Sequence, residues 1–177
     1  MLALALAAAA AGCAEKPTQL VVVVSTDMTA PDELDQVRVR TFAGSDATPI
    51  DDQTLPVPAG GGPSAVAFRS VHAFDFDPPG GQASRPVRVA VDAMNAGRTL
   101  FTTEVRTGFA SGKRLRLDVY VVRRCLAQAA TCLPDETCGV PGCVAPDVSV
   151  NALPEQGNDT PPTGIDPRGR TLNDAGR

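Results

Sequence analysis

The sequence predicts an all-β fold: an antiparallel β-sandwich of immunoglobulin-like or transthyretin-like shape, with a small β-barrel as the runner-up. Three observations carry this expectation. Between residues 18 and 124, apolar and polar side chains alternate with the two-residue period of half-buried strands. Turn-forming Gly, Pro, Asn and Ser residues interrupt these runs every 8–15 residues, which gives about seven strands. No stretch carries the long 3.6-residue periodicity of an amphipathic helix.

In chain order, Leu20–Val24 is a continuous apolar run, suited to a strand buried on both faces. Residues Thr29–Leu34 predict one helical turn, with Pro31 near its start. Val37, Val39 and Thr41 alternate with Arg38 and Arg40 as a half-buried strand. Leu55-Pro56-Val57-Pro58 is extended but interrupted by proline, so it is at best an edge strand. From Ala65 to Phe76, Val66, Phe68, Phe74 and Phe76 share one side, with Ser70 and His72 between them. Val71 and Ala73 fall opposite, which predicts a bulge near Arg69-Ser70 or an exposed patch. Pro78-Pro79-Gly80-Gly81 breaks the chain. Val87, Val89 and Val91 then alternate with Arg88 and Asp92, and a turn follows at Asn95-Ala96-Gly97. Phe101, Thr103, Val105, Thr107 and Phe109 alternate with Glu104 and Arg106. A turn at Ser111-Gly112-Lys113 leads into Leu115, Leu117, Val119 and Val121, which alternate with Arg114, Arg116 and Asp118. These last three strands are expected to form a meander, its arginines lining one solvent-facing sheet surface.

The chain has 177 residues, enough for one domain plus extra segments. Its single His72 cannot supply a multi-histidine metal centre, and no apolar run reaches the ~18–20 residues of a spanning helix. Charge is unevenly placed. Residues 14–84 carry four basic and ten acidic side chains, residues 85–124 nine and three, and residues 125–177 three and seven. A basic block can attract a polyanion. Here its arginines alternate as the exposed faces of strands require, so pairing with adjacent acidic strands is the favoured expectation and no nucleic-acid partner is expected.

Leu2–Ala11 contains only Leu and Ala and ends in Ala10-Ala11-Gly12-Cys13. Ten apolar residues suit a signal-peptide core and are too few to cross a bilayer. The segment resembles a bacterial lipoprotein signal with its lipobox. That resemblance implies residues 1–12 as the signal peptide and Cys13 as the first mature residue, carrying a thioether-linked diacylglycerol that anchors the protein to the membrane. Two or more acyl chains anchor stably where one does not. The tether of residues 13–17 would reach about 14 Å at ~3.5 Å per residue, holding the domain close to the membrane. Ala14 replaces the Asp that often marks inner-membrane retention in that family, which implies outer-membrane sorting.

The other four cysteines are Cys125, Cys132, Cys138 and Cys143, in a C-x6-C-x5-C-x4-C pattern among turn formers. An even cluster behind an export signal reads as two disulfides with three possible pairings. A four-thiolate zinc site is disfavoured, because such sites use close C-x2–4-C pairs and need a reducing compartment. Similarity to small cysteine-rich modules implies the interlaced pairing 125–138 with 132–143. Residues 125–143 are thus a stapled loop after the 18–124 sandwich domain. Residues 144–177, rich in Pro and poor in large apolar groups, are expected to be a flexible tail.

Chemistry-bearing residues are few. His72 with Asp75 or Asp77 is a candidate acid–base pair, although no nucleophile motif such as G-x-S-x-G accompanies it. Asp51, Asp52, Asp75 and Asp77 are candidate Ca²⁺ ligands if their loops converge. Solvated or packed side chains are the favoured reading of both sets, and no catalytic residue, metal or cofactor is assigned. The whole pattern resembles the small lipoproteins of GC-rich, envelope-bearing bacteria such as myxobacteria, which join a lipobox, a β-sandwich and a C-terminal cysteine cluster. The resemblance implies a lipid-anchored envelope protein, a non-enzymatic module binding an envelope protein or a surface polymer. An envelope hydrolase, its accessory domain and a calcium-dependent adhesion module are the alternatives.

Overall fold

A computed structural model of the protein describes residues 17–60 and 69–156. The chain is mostly β. Its strands are β1 (Gln19–Thr26), β2 (Gln36–Ala43), β3 (Asp51–Pro56), β4 (Arg69–Phe76), β5 (Val87–Asn95), β6 (Arg98–Thr107) and β7 (Arg114–Val121). A short helix α1 (Cys125–Gln128) and a hairpin of β8 (Thr137–Gly139) and β9 (Gly142–Val144) follow. One sheet has the order β4-β1-β7 and the other β3-β2-β5-β6.

Alternation explains the core. Val37 and Val39 of β2, Val89, Val91 and Ala93 of β5, and Phe101 and Val105 of β6 point inward from the four-stranded sheet. There they meet Leu20, Val22 and Val24 of β1 and Leu115, Leu117 and Val119 of β7 in one buried cluster. Each such side chain contributes about 1.5–3 kcal/mol relative to exposure. As the central strand of its sheet, β1 also buries Val21 and Val23, which is why its sequence is apolar throughout.

The β5–β6 hairpin closes as expected through Ala96-Gly97, with Asn95 opposite Arg98. The expected meander stops there. After β6 the chain crosses to the other sheet, and β7 pairs with β1 in parallel, Gln19 opposite Arg114 through Thr26 opposite Val121. The wholly antiparallel pairing expected from the sequence therefore does not hold. The main chain of β7 pairs along the edge of β1, and Leu115, Leu117, Val119 and Val121 still enter the shared core, a place they could also have reached beside β6.

Local differences follow similar logic. Thr29–Leu34 is a turn rather than a helix, closed by Glu33 N–H to Thr29 O at 2.8 Å and by Thr29 N–H to Glu33 Oε2 at 2.7 Å. The proline-interrupted edge strand exists, but β3 starts earlier, at Asp51. In β4, Val24 stands opposite His72 and Ser25 opposite Ser70, so Val71 is the bulged residue. Val66 and Phe68 lie outside the described residues. Residues 144–156, expected to begin a flexible tail, are docked on the body by main-chain hydrogen bonds.

Candidate functional site

Helix α1 leaves the end of β7, and the next eighteen residues fold back beside β6. Disulfides join Cys125 to Cys138 and Cys132 to Cys143, with Cα–Cα separations of 5.8 and 5.3 Å. The two bridges interlace, since Cys132 lies inside the loop closed by the first. Cys125 and Cys138 are 1% and 2% exposed and belong to the main core, whereas Cys132 and Cys143 are half-buried. The hairpin is tied to β6 by Glu104 N–H to Thr137 Oγ1 at 2.8 Å and Thr103 Oγ1–H to Cys138 O at 3.2 Å. Glu136 lies within 4.8 Å of the Cys132 and Cys143 sulfurs. Those sulfurs are joined to each other, and Glu136 Oε2 accepts the Leu133 N–H at 3.0 Å, so the group offers no thiolates to a metal.

Beyond β9 the chain forms a strap across the open side of the body. Arg106 N–H donates to Pro146 O at 2.8 Å, and Val148 N–H to Arg106 O at 2.8 Å. Further on, Arg116 N–H donates to Pro154 O at 2.9 Å, and Gln156 N–H to Arg114 O at 2.7 Å. The strap thus pairs with β6 of one sheet and β7 of the other, covering edges that would otherwise invite another strand.

Beneath the strap and hairpin, between β6 and β7, lies a cavity of about 530 Å³. Its wall is mainly apolar, with Val105, Leu117, Val119, Val144, Val148 and Leu153 among its residues. Arg116 and Asp118 also line it, their side chains only 5% and 12% exposed. Arg116 donates from Nε at 3.0 Å and from Nη2 at 2.5 Å, both to Asp118 Oδ1. Burial raises the Asp118 pKa above the ordinary carboxylate value, against the lowering effect of the Arg116 hydrogen bonds.

The remaining basic side chains are largely paired with acids, as the alternation implied, although they belong to two sheets rather than one surface. Arg40 binds Asp92 at 2.7 Å and Arg88 binds Glu104 at 3.1 Å, while Arg106 reaches the other oxygen of Glu104. The Arg88 guanidinium also lies 3.7 Å from the centre of the Phe42 ring. The acids named by the sequence are similarly engaged. Asp75 accepts Arg114 Nη2 at 2.8 and 3.0 Å, Asp77 accepts Gln19 Nε2 at 3.2 Å, and Asp51 accepts Gln53 Nε2 at 2.8 Å. Asp52 holds Arg38 through both oxygens, and this hydrogen bonding keeps its carboxyl below its usual range. Asp51 and Asp52 stand on β3 and Asp75 on β4, in different sheets, and among the described residues no three of these carboxylates draw together as a metal-ligand group. The His72 side chain lies outside the described residues. Cys13 likewise lies outside the described residues.

Sequence reasoning reached the cysteines but missed the cavity. Its signal was faint: Val144, Val148 and Leu153 are sparse apolar residues in a proline-rich stretch. Among the described residues no helix is long and apolar enough to cross a membrane. Comparison with protein-family models and with curated proteins finds no match.

Proposed function

We propose that the protein is a lipid-anchored, non-enzymatic module of the bacterial cell envelope, which binds a protein or surface polymer through its body or its cysteine segment. The observation that carries this reading is the interlaced pair of disulfides, one of them sealed in the core. Disulfides of this kind form and persist in oxidising compartments. The lipobox-like Ala10-Ala11-Gly12-Cys13 supplies the address, with Cys13 as the lipidated residue and the outer membrane as the destination.

The strand order favours the transthyretin-like form of sandwich. An immunoglobulin-like arrangement would pair the first strand with the second and the fourth with the fifth. Here β1 lies between β4 and β7, and β2 between β3 and β5. The order also sets an orientation. The first described residues run into β1 beside the 110–114 turn, where Gly112 N–H donates to Thr18 Oγ1 at 2.8 Å. Because β7 runs parallel to β1 over eight residues, α1 starts about 26 Å from the tether end. The cysteine segment would begin on the side facing away from the membrane.

Intact mass of the protein from its native envelope, before and after reduction and alkylation, tests this reading. A mature chain starting at a diacylated Cys13, with four further cysteines alkylated only after reduction, is the expected result. An unprocessed chain with free thiols would overturn it.

A further inference from the structure

We propose that the cavity between β6, β7 and the cysteine hairpin takes a short, uncharged, extended peptide segment with small apolar side chains, held by main-chain hydrogen bonds to Asp118. This deepens the binding reading above by naming a ligand class and a site.

The register of β7 fixes which way each of its main-chain groups faces. Its odd-numbered residues direct their main-chain groups at β1, as in Gln19 N–H to Lys113 O at 3.0 Å. Its even-numbered residues therefore face the gap: Arg114 O accepts from Gln156 and Arg116 N–H donates to Pro154. There the strap turns away into the 3-10 turn Val150–Ala152. The main-chain N–H and C=O of Asp118, next on the same edge, have no hydrogen-bond partner among the described residues. An open N–H and C=O on a strand edge is a ready template for another strand, so such a pair beside an apolar cavity is a place for a ligand that supplies both partners. One residue of an extended chain does so, giving its C=O to the Asp118 N–H and its N–H to the Asp118 C=O. Such a chain continues the ladder the strap begins.

The rest of the wall sets the side chains and charge. Val105, Leu117, Val119, Val144, Val148 and Leu153 supply most of the apolar wall, which suits small apolar groups, and 530 Å³ lies within the range of ligand pockets. The Arg116–Asp118 pair is internally neutralised and nearly buried, so an ionised ligand would gain no counter-charge there. A second, larger cavity of about 1220 Å³ near Pro86, Phe109 and Val150 offers less, because three of its four charged side chains, Arg88, Glu104 and Arg106, already satisfy one another and only Asp147 stands apart from them.

The test is a titration of the full oxidised chain, labelled with ¹⁵N, with the capped tripeptide acetyl-Ala-Val-Ala-amide. The expected result is a saturable shift of the Asp118 amide with a dissociation constant near or below about 1 mM. N-methylation of the central Val removes its hydrogen bond to Asp118 O and should weaken binding about tenfold. Val148→Trp, which fills the cavity, should abolish binding while the far-ultraviolet spectrum is kept. If that variant does not fold, the methylated peptide decides alone. No saturable shift, or equal binding of the methylated peptide as expected of simple apolar filling, would overturn the proposal. A chain that is lipidated and oxidised yet ignores the peptide would refute this site alone, whereas an unprocessed chain that binds it would refute only the envelope reading.

Discussion

Ala96 has a φ of 49°, and Gly97 beside it a φ of 74°. Two successive positive φ values give the two-residue hairpin loop whose twist matches its strands, but a Cβ in the left-handed region costs about 1–2 kcal/mol. The position is held by the register of β5 and β6 and by Ala96 N–H donating to Asp35 Oδ2 at 2.8 Å. Ala96→Gly keeps that donor and relieves the strain, so it should raise stability by about 0.5–1 kcal/mol after the added chain entropy is counted. An unchanged or lower urea midpoint would contradict this account of the loop.

Glu33 shows the same scale at work in electrostatics. Its carboxylate accepts Arg123 Nε at 2.7 Å and Nη2 at 2.6 Å, and also the Thr29 N–H. These hydrogen bonds, Arg123 first, lower its pKa from 4.5 to about 2. Because the folded value is depressed, the stabilisation is fully present above pH 4.5 and fades as the pH falls towards 2. Glu33→Gln should therefore cost about 1 kcal/mol at pH 7, a figure kept small by partial exposure, and progressively less as the solution is acidified through that window. Urea melts of both proteins at pH 7 and pH 2.5 check the sign. A cost that does not shrink in acid would show that the pair is not what ties the β1–β2 turn to the end of β7.

Among the elements, the cysteine segment divides into a buried bridge and a half-exposed one of similar loop length, with separations of 13 and 11 residues. Chain entropy alone predicts about 3 kcal/mol for each. Cys125 and Cys138 also fill core volume, so replacing both by Ala should cost more than replacing Cys132 and Cys143, by about 1–2 kcal/mol. Equal midpoints for the two double variants would mean that the first bridge is not part of the core. How much was legible in the sequence differs between elements for a physical reason. In β2, β5 and β6, apolar residues alternating with polar or charged ones record which face is buried, so the strands could be read directly. The same alternation in β7 does not record which sheet the strand joins, because Leu115 and Leu117 would bury equally well beside β6 or beside β1. The cavity was hidden for a related reason. The polar groups it leaves open are the main-chain N–H and C=O of Asp118, and a main chain leaves no mark in a sequence.

At the scale of the whole molecule, the strap joins both sheets at their edges. Its ties are Arg106 with Pro146 and Val148, and Arg114 and Arg116 with Gln156 and Pro154. These are main-chain bonds, with modest help from the half-buried Val148, Val150 and Leu153, which is why composition suggested an unstructured tail. Without the strap, β6 and β7 would present unpaired N–H and C=O groups on one side of the body, beside a widened apolar gap. A chain ending at Ala145 keeps the four cysteines and nearly all of the core, so it should fold, but its two bared edges should pair with those of a second copy. Light scattering across a concentration series is the relevant measurement: the full chain serves as reference, and the shortened chain should gain mass with concentration. A positive charge placed where a partner strand would pack opposes pairing at that edge, so Thr102→Lys on the exposed face of β6 should reduce the gain in mass, leaving the share that comes from the β7 edge. If the shortened chain shows the same concentration dependence as the full chain, the strap is not an edge cover, and its hydrogen bonds serve chiefly to wall the cavity beside Asp118.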